Sequence, residues 1–377
     1  MRVAIDIRRI SEFGVGTYTR NAIRTLARLD RSNEYFLLGI PGKLGDVGPL
    51  PSNFVTVPTH PNEFSLQSYL ELNRILRHHR VDLLHVPHLF WKPQSVPCPY
   101  VVTVHDLLDH MYKLNSNSSF KQSIHFQLTK RTLRQAARIL AVSNFSKKDT
   151  ERLFHIPADK IEVIYNALDD RFRQGHATDA DRRLIAERYQ VTYPFLLYAG
   201  RISPHKNVVR IIEAFAALKG ELEKDGQYPD LKLIIIGDEL SKHPDLRRTV
   251  IKTRVQNDVR FLGFVPIGVL RIFYDLAKIF VFPSLYEGFG LPPLEAMAHG
   301  TPVVTSNTSS IPEVVGNAAV MVNPENVFEI MHALHNVLLD QAVREKLKAR
   351  GMLQAKRFSW DESVQRMLEV YREVVRN

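Results

Sequence analysis

The sequence predicts an α/β protein made of two doubly wound domains, each a parallel sheet between helices. Length, alternation and a change of texture near the middle predict it. A chain of 377 residues has room for two domains of ordinary size. Short apolar runs alternate with amphipathic segments through both halves, the pattern of parallel strands covered on both faces. Between the halves, residues 166–192 begin polar and irregular and include ATDADRR, which reads as a connection. The expected division is therefore a first domain over 1–170, a connection over 171–192 and a second domain over 193–358.

In the first half the expected strands are 2–7, 35–38, 55–57, 83–86, 100–104 and 139–142, and the expected helices 17–29, 65–78, 120–137 and 146–154. The second half alternates strands 195–199, 231–236, 259–261 and 279–282 with helices 208–218, 246–255 and 268–277. The run 279–282 leads through a Gly-punctuated turn into helix 294–299, ended by Gly300, and strand 301–305 follows. Segments 310–315 and 319–322 continue the pairing, and helices 327–339 and 343–350 come next. Residues 359–377 form a last amphipathic helix. The architecture is used twice without a sequence repeat.

Hydrophobic content of 45% and charged content of 24% are those of a soluble globular protein. Cys98 is alone, so there is no disulfide framework and a reducing compartment fits; beside Pro97 and Pro99 it reads as a small apolar filler. MRVAIDI alternates into a strand and lacks the apolar core of a signal peptide. No apolar run approaches the roughly 20 residues that cross a bilayer. The expected location is cytoplasmic, with peripheral contact at the inner membrane face left open. A net charge of +10 favours an anionic partner: nucleic acid, lipid headgroups or a phosphate-bearing substrate.

The most informative stretch is IFVFPSLYEGFGLPPLEAMAHGTPVVT, residues 279–305. Strand, Gly loop and helix N-terminus aim backbone N–H groups, carrying roughly half a positive charge, at whatever lies beyond the strand end. Pro292 and Pro293 suit a first helical turn, where their missing N–H groups leave no bond unmade. Glu287 and Glu295 frame the loop. A carboxylate accepts from neighbouring hydroxyls, so one on each side of a phosphate cradle suits a sugar, a diphosphate and a ribose in line.

EGFGLPPLEAMAHGTPVV resembles the E-x7-E signature of the retaining glycosyltransferase family 4, which has the GT-B fold of two Rossmann-like domains facing a cleft. The resemblance extends over nearly the whole chain and is strongest over 198–315. It implies that the closing segment, which begins Phe358-Ser359-Trp360, returns to the first domain. It also implies that Glu287 holds hydroxyls of the transferred sugar, Glu295 the ribose diol, and backbone amides of Phe289, Gly290 and Leu291 the sugar and phosphate.

GRISPHKN, residues 200–207, resembles the family's G-R-x4-K pattern, in which Arg201 and Lys206 grip the donor diphosphate after Gly200. Fixed cations there stabilise the charge that grows on a leaving diphosphate. The turn Gly14-Val15-Gly16-Thr17 is not a dinucleotide fingerprint; the resemblance sets it over the donor phosphate and near the acceptor. His105 and Asp106 close a strand, and the resemblance turns His105 towards the transferred sugar while Asp106 orients the loop. Gly237 ends another strand, and Val265 is the neighbour implied for the nucleobase. His85 and His88 read as loop or acceptor-side residues, since no Cys, His or Asp set completes a metal site. The triplet Asp179-Ala180-Asp181 and the pair Asp169-Asp170 fall in the connection and read as solvated linker. Neither metal nor cofactor is expected, which agrees with the metal-independent chemistry the resemblance implies.

The segment 120–138 mixes Ile124, Phe126, Leu128 and Leu133 with Lys121, Lys130, Arg131, Arg134 and Arg138. It is either a helix lying on an anionic membrane or a core helix with a solvated basic face. The activity implied is transfer of a hexose from a nucleotide-sugar to a glycan or lipid-linked acceptor in surface-polysaccharide assembly. GLPPLEAMA and TSNTSSIPEVVG resemble bacterial mannosyltransferases, which makes GDP-mannose the first donor and a UDP-sugar such as UDP-glucose the second. From another class, a nucleic-acid-binding protein fits the charge; it requires basic and aromatic residues on one face, whereas the suggestive residues here gather at strand ends.

Overall fold

The computed structural model describes residues 1–12, 14–40, 42–60, 65–89, 96–108, 120–173 and 175–376. The chain divides into two compact units, Met1–Ala167 with Ser359–Asn377, and Leu168–Phe358.

In the first unit, β1 (Arg2–Asp6), α1 (Val15–Leu29), β2 (Glu34–Gly39), β3 (Phe54–Pro58), α2 (Leu66–His78), β4 (Leu83–Val86), β5 (Tyr100–Val104), α3 (Phe120–Gln135), β6 (Arg138–Ala141), α4 (Asn144–Phe154) and β7 (Ile161–Val163) follow in chain order. Among the described residues the strands form one parallel sheet ordered β3-β2-β1-β4-β5-β6-β7. All five residues of β5 are buried, as expected for a central strand covered on both faces. The C-terminal helix, Trp360–Arg376, packs on α1. It buries Trp360, Val364, Met367, Leu368 and Tyr371, a stripe at helical spacing, and the Arg28–Asp361 ion pair ties its first turn to α1.

In the second unit, α5 (Asp179–Tyr189), β8 (Phe195–Ala199), α6 (Val208–Lys224), β9 (Lys232–Ile236), α7 (Pro244–Lys252), β10 (Val259–Gly263), α8 (Ile267–Leu276), β11 (Ile279–Phe282), α9 (Leu291–Ala298), β12 (Val303–Ser306), α10 (Ile311–Val315), β13 (Val320–Val322), α11 (Val327–Leu339) and α12 (Gln341–Lys356) follow. Its parallel sheet is ordered β10-β9-β8-β11-β12-β13.

Several expectations change. Residues 171–192 lie inside the second unit and contain α5, whose start is a capping box: Asp181 N–H donates to Thr178 Oγ1 at 3.2 Å, and Thr178 N–H to Asp181 Oδ2 at 2.9 Å. The Asp179-Ala180-Asp181 triplet is therefore a helix start. Asp169 is buried rather than solvated, with Arg171 forked onto both of its oxygens at 2.9 and 2.7 Å. Segment 310–315 is a helix, because Pro312 lacks the N–H a strand must donate and fits a first turn. His85 is a core residue of β4, not a loop residue: its Nδ1 lies 2.6 Å from Tyr371 Oη and its Nε2 2.8 Å from Thr103 Oγ1, each a hydrogen-bonding distance. Burial holds its imidazole down at about 3, so it stays neutral.

Cys98 packs against the core of the first unit, and burial pushes its thiol up to about 12. In α3, Leu133 and Phe126 pack into that core while Arg131 and Arg134 face out, which is the core-helix arrangement. The helix ends before Arg138, which begins β6, and the side chain of Lys121 lies outside the described residues. Among the described residues, no helix is long and apolar enough to cross a membrane.

Candidate active site

In a doubly wound sheet, ligands bind beyond the carboxyl ends of the strands where the winding reverses. In the second unit that point lies between β8 and β11, and the strongest sequence candidates stand there.

β8 ends at Ala199, and the chain passes through Gly200 and Arg201 into a tight turn, Pro204–Lys206. Gly237, ending β9, abuts this bend: a Cβ there would sit 2.2 Å from the Gly200 carbonyl oxygen, so no larger residue fits. Asp238 Oδ2 accepts the Ile202 N–H at 2.9 Å and fixes the bend.

Beyond β11 the chain turns through Pro283 and Ser284 towards Glu287. The two loops are stitched together. The His205 carbonyl accepts from Leu285 N–H at 2.7 Å and from the Ser284 hydroxyl at 3.1 Å. Asn207 is buried in the left-handed region at φ 62°, and its amide donates to the carbonyls of Pro283 at 3.1 Å and Pro324 at 2.6 Å.

The stitching brings Lys206 and Glu287 into contact, Nζ lying 2.6 Å from Oε1 and 2.8 Å from Oε2. Both side chains are largely covered, at 17% and 10% exposure, and the ammonium also lies 5.4 Å from the Phe282 ring centroid. Arg201 is exposed, and among the described residues its guanidinium pairs with no carboxylate. One cation of the pair is thus neutralised and the other is open to an anion.

The 283–291 loop is held from the start of α10. The Ser310 hydroxyl reaches the carbonyls of Glu287 at 2.9 Å and Phe289 at 2.8 Å, and Ser309 Oγ accepts the Glu287 N–H at 3.1 Å. Gly290 stands at φ 110°, where a Cβ would meet Ile311 Cδ1 at 2.6 Å. Phe289 turns its ring inward, edge-on to Phe358 at 5.4 Å, so only its backbone is placed for a ligand. Leu291 opens α9, and because Pro292 and Pro293 carry no N–H, the backbone donors at this helix start are those of Leu291 and Leu294.

Glu295, on that helix, is half-buried and accepts from Tyr274 Oη at 2.8 Å. Burial raises its carboxyl to about 7, with the charge of Asp169 acting in the same direction and the Tyr274 bond against it. Val265 is 3% exposed and its neighbour Phe264 71%, so Phe264 offers the open ring at the end of β10.

The other candidates belong to the first unit. His105 follows β5, its Nε2 lying 2.9 Å from the Pro87 carbonyl and its ring edge-on to Tyr18 at 4.8 Å. A carbonyl only accepts, so Nε2 carries the proton; burial lowers the imidazole to about 4 and keeps it neutral. Asp106 Oδ1 accepts the Leu108 N–H at 3.2 Å. Gly14 stands at φ 71° before α1, and Gly16 lies inside the helix, where a Cβ would sit 2.3 Å from the Ile10 carbonyl oxygen. His88 is buried, 3.8 Å from Asp6.

Sequence reasoning missed Asn207, Ser309, Ser310, Tyr274 and Asp169. Asn207 and the serines lay within motifs already singled out, but their partners are far away in the chain. Among the described residues, no group of three or more His, Cys, Asp or Glu side chains is placed to hold a metal.

Two family models match the chain, "Glycosyltransferase Family 4" over residues 14–172 and "Glycosyl transferases group 1" over 182–354. The chain is 36% identical over 242 residues to O-antigen chain mannosyltransferase B of Escherichia coli, covering 64% of this chain and 62% of that one. It is 30% identical over 273 residues to the serotype-specific mannosyltransferase WbdA of Escherichia coli, covering 71% of this chain and 32% of the relative. The chain thus spans between about a third and three fifths of the length of these relatives. Among solved structures, Anabaena HepE in complex with UDP and glucose superposes with a TM-score of 0.77 at 19% identity, over 99% of this chain and 100% of that one. WaaG, a glycosyltransferase involved in lipopolysaccharide biosynthesis, superposes with a TM-score of 0.72 at 16% identity, over 98% and 99%. With both family models matched in chain order, each on its own parallel-sheet unit, the chain belongs to the group 1 glycosyltransferases of GT-B fold.

Proposed function

We propose that the protein is a retaining, metal-independent glycosyltransferase that moves a hexose, mannose from GDP-mannose in the first instance, onto a glycan or lipid-linked acceptor in surface-polysaccharide assembly. The observation that carries this reading is the contact between Lys206 and Glu287 at the point where the second sheet reverses, with the unneutralised Arg201 beside the same strand end. The mannosyltransferase relatives support the sugar and the type of acceptor.

In this reading Arg201 and Lys206 stabilise the diphosphate as it departs. Lys206 gives two of its three N–H donors to Glu287 and keeps one for a phosphate oxygen. Glu287, anchored by its own partner, accepts from hydroxyls of the transferred sugar, and the amides of Phe289, Gly290 and Leu291 hold sugar and phosphate. Glu295 accepts from the ribose diol. His105, in the first unit, has its proton committed to Pro87 and so keeps Nδ1 as an acceptor. No nucleophile is assigned, so the acceptor oxygen bonds to the anomeric carbon on the face where the C–O bond to the diphosphate breaks, and the acceptor's hydroxyl proton passes to the departing phosphate oxygen. The uncompensated positive charge comes from Arg201, and the remaining Lys206 N–H and backbone amides add donors, which is the ground for metal independence.

Incubating the protein with GDP-mannose and an acceptor oligosaccharide, with and without EDTA, tests the proposal. Transfer that keeps the α-anomer and survives chelation is expected. An inverted product, a trapped glycosyl-enzyme or dependence on a divalent ion each sinks a named part. The second reading, a UDP-sugar donor, is favoured by HepE, whose structures hold UDP-glucose and UDP with glucose. A thermal shift by GDP or by UDP decides between them.

A further inference from the structure

Ser309 occupies a backbone position that suits glycine. Its φ is 58°, in the left-handed region that residues with a β-carbon other than asparagine and aspartate rarely adopt. Its side chain is half-buried, and its Oγ accepts the Glu287 N–H at 3.1 Å. The loop does not depend on that bond alone, because the fully buried Ser310 also holds the carbonyls of Glu287 and Phe289 at 2.9 and 2.8 Å. Among the described residues, the Ser309 hydroxyl proton meets no acceptor. A hydroxyl that accepts from an amide is polarised and donates more strongly in turn. A strained residue with a spare donor, bonded to the backbone of the residue that pairs with Lys206, has a use for that donor.

We propose that Ser309 is a further binding residue of the donor site. It passes the Glu287 amide bond on through its own O–H to an oxygen of the sugar-phosphate held there. The inference rests on the reading of this loop as the nucleotide-sugar site.

Two variants test it, Ser309→Gly and Ser309→Ala. Both variants remove the hydroxyl and leave the Glu287 N–H without that acceptor; glycine also relieves the backbone strain and alanine keeps it, so S309G melts above S309A. Both are expected to lose about tenfold in kcat/KM for the donor, the loss of one hydrogen bond. Calorimetric titration with GDP, GDP-mannose, UDP and UDP-glucose locates the accepting oxygen. Weakening confined to the nucleotide-sugar assigns it to the sugar, and equal weakening of the free diphosphate assigns it to phosphate. Donor analogues lacking one sugar hydroxyl complete a double-mutant cycle that a merely loosened loop does not reproduce. Undiminished binding and turnover in S309G overturn this inference alone. A wild-type protein that binds no nucleotide-sugar overturns the donor-site reading and this one with it.

Discussion

At the scale of single residues, the proposed chemistry turns on the Lys206–Glu287 contact. Replacing Lys206 by Ala removes a fixed cation and leaves a covered carboxylate unpaired. Transfer by K206A is expected to fall about 10²–10³-fold, as for loss of one transition-state stabiliser, and its melting temperature to drop as well. Lys206→Arg keeps the charge without the compact three-donor geometry and should recover only part of the activity, as steady-state kinetics will show. Glu295 brings pH dependence. Its folded carboxyl titrates near 7 against an ordinary 4.5, chiefly through burial, so between those values the unfolded chain has released a proton that the folded protein keeps. Stability therefore declines as pH rises through that window, and Glu295→Gln should gain on wild type between pH 5 and 8 in parallel thermal melts. Hydroxyls of a bound diol favour the ionised form. Donor affinity measured by calorimetry should accordingly rise from pH 6 to 8 with release of a proton, and E295Q should flatten that profile.

At the scale of elements, the site is a product of two loops locked together before any ligand arrives. Asn207 is the lock, joining the loop after β8 to the chain after β11 and after β13. Asn207→Ala orphans two buried carbonyls, at about 1–3 kcal/mol each, and lets Lys206 drift from Glu287. Urea denaturation should register the first effect and a fall in kcat the second. The alternation of strands and helices was legible because a fully buried parallel strand needs an unbroken apolar run, as Ile279–Phe282 has. Glu287 and Glu295 were legible because one short turn carries both. Segment 310–315 misled because Ile311, Val314 and Val315 are β-branched and suit a strand, while Pro312 decides for the helix. Asp169 read as solvated because its cover comes from the fold: it bears on Glu295, a residue remote in sequence. Local chemistry can be read along the chain, but the partners of a buried polar group cannot.

At the scale of the molecule, the seven-stranded sheet of the first unit depends on the last helix. Tyr371 reaches His85 inside that sheet, and Trp360 lies against Tyr18 with ring centroids 5.5 Å apart. Tyr371→Phe keeps the shape but leaves buried His85 Nδ1 without its hydrogen-bond partner, so it should destabilise the protein by about 1–3 kcal/mol in chemical denaturation. Because the unit that begins at Met1 is finished only by Ser359–Asn377, the intervening Leu168–Phe358 is a nested insertion within its host. On the ribosome the inserted body has all its own chain before the host does, so the host, begun first, is completed last. Expressed by itself, 168–358 should fold cooperatively, whereas 1–167 should stay open to proteases until a peptide spanning 359–377 is supplied.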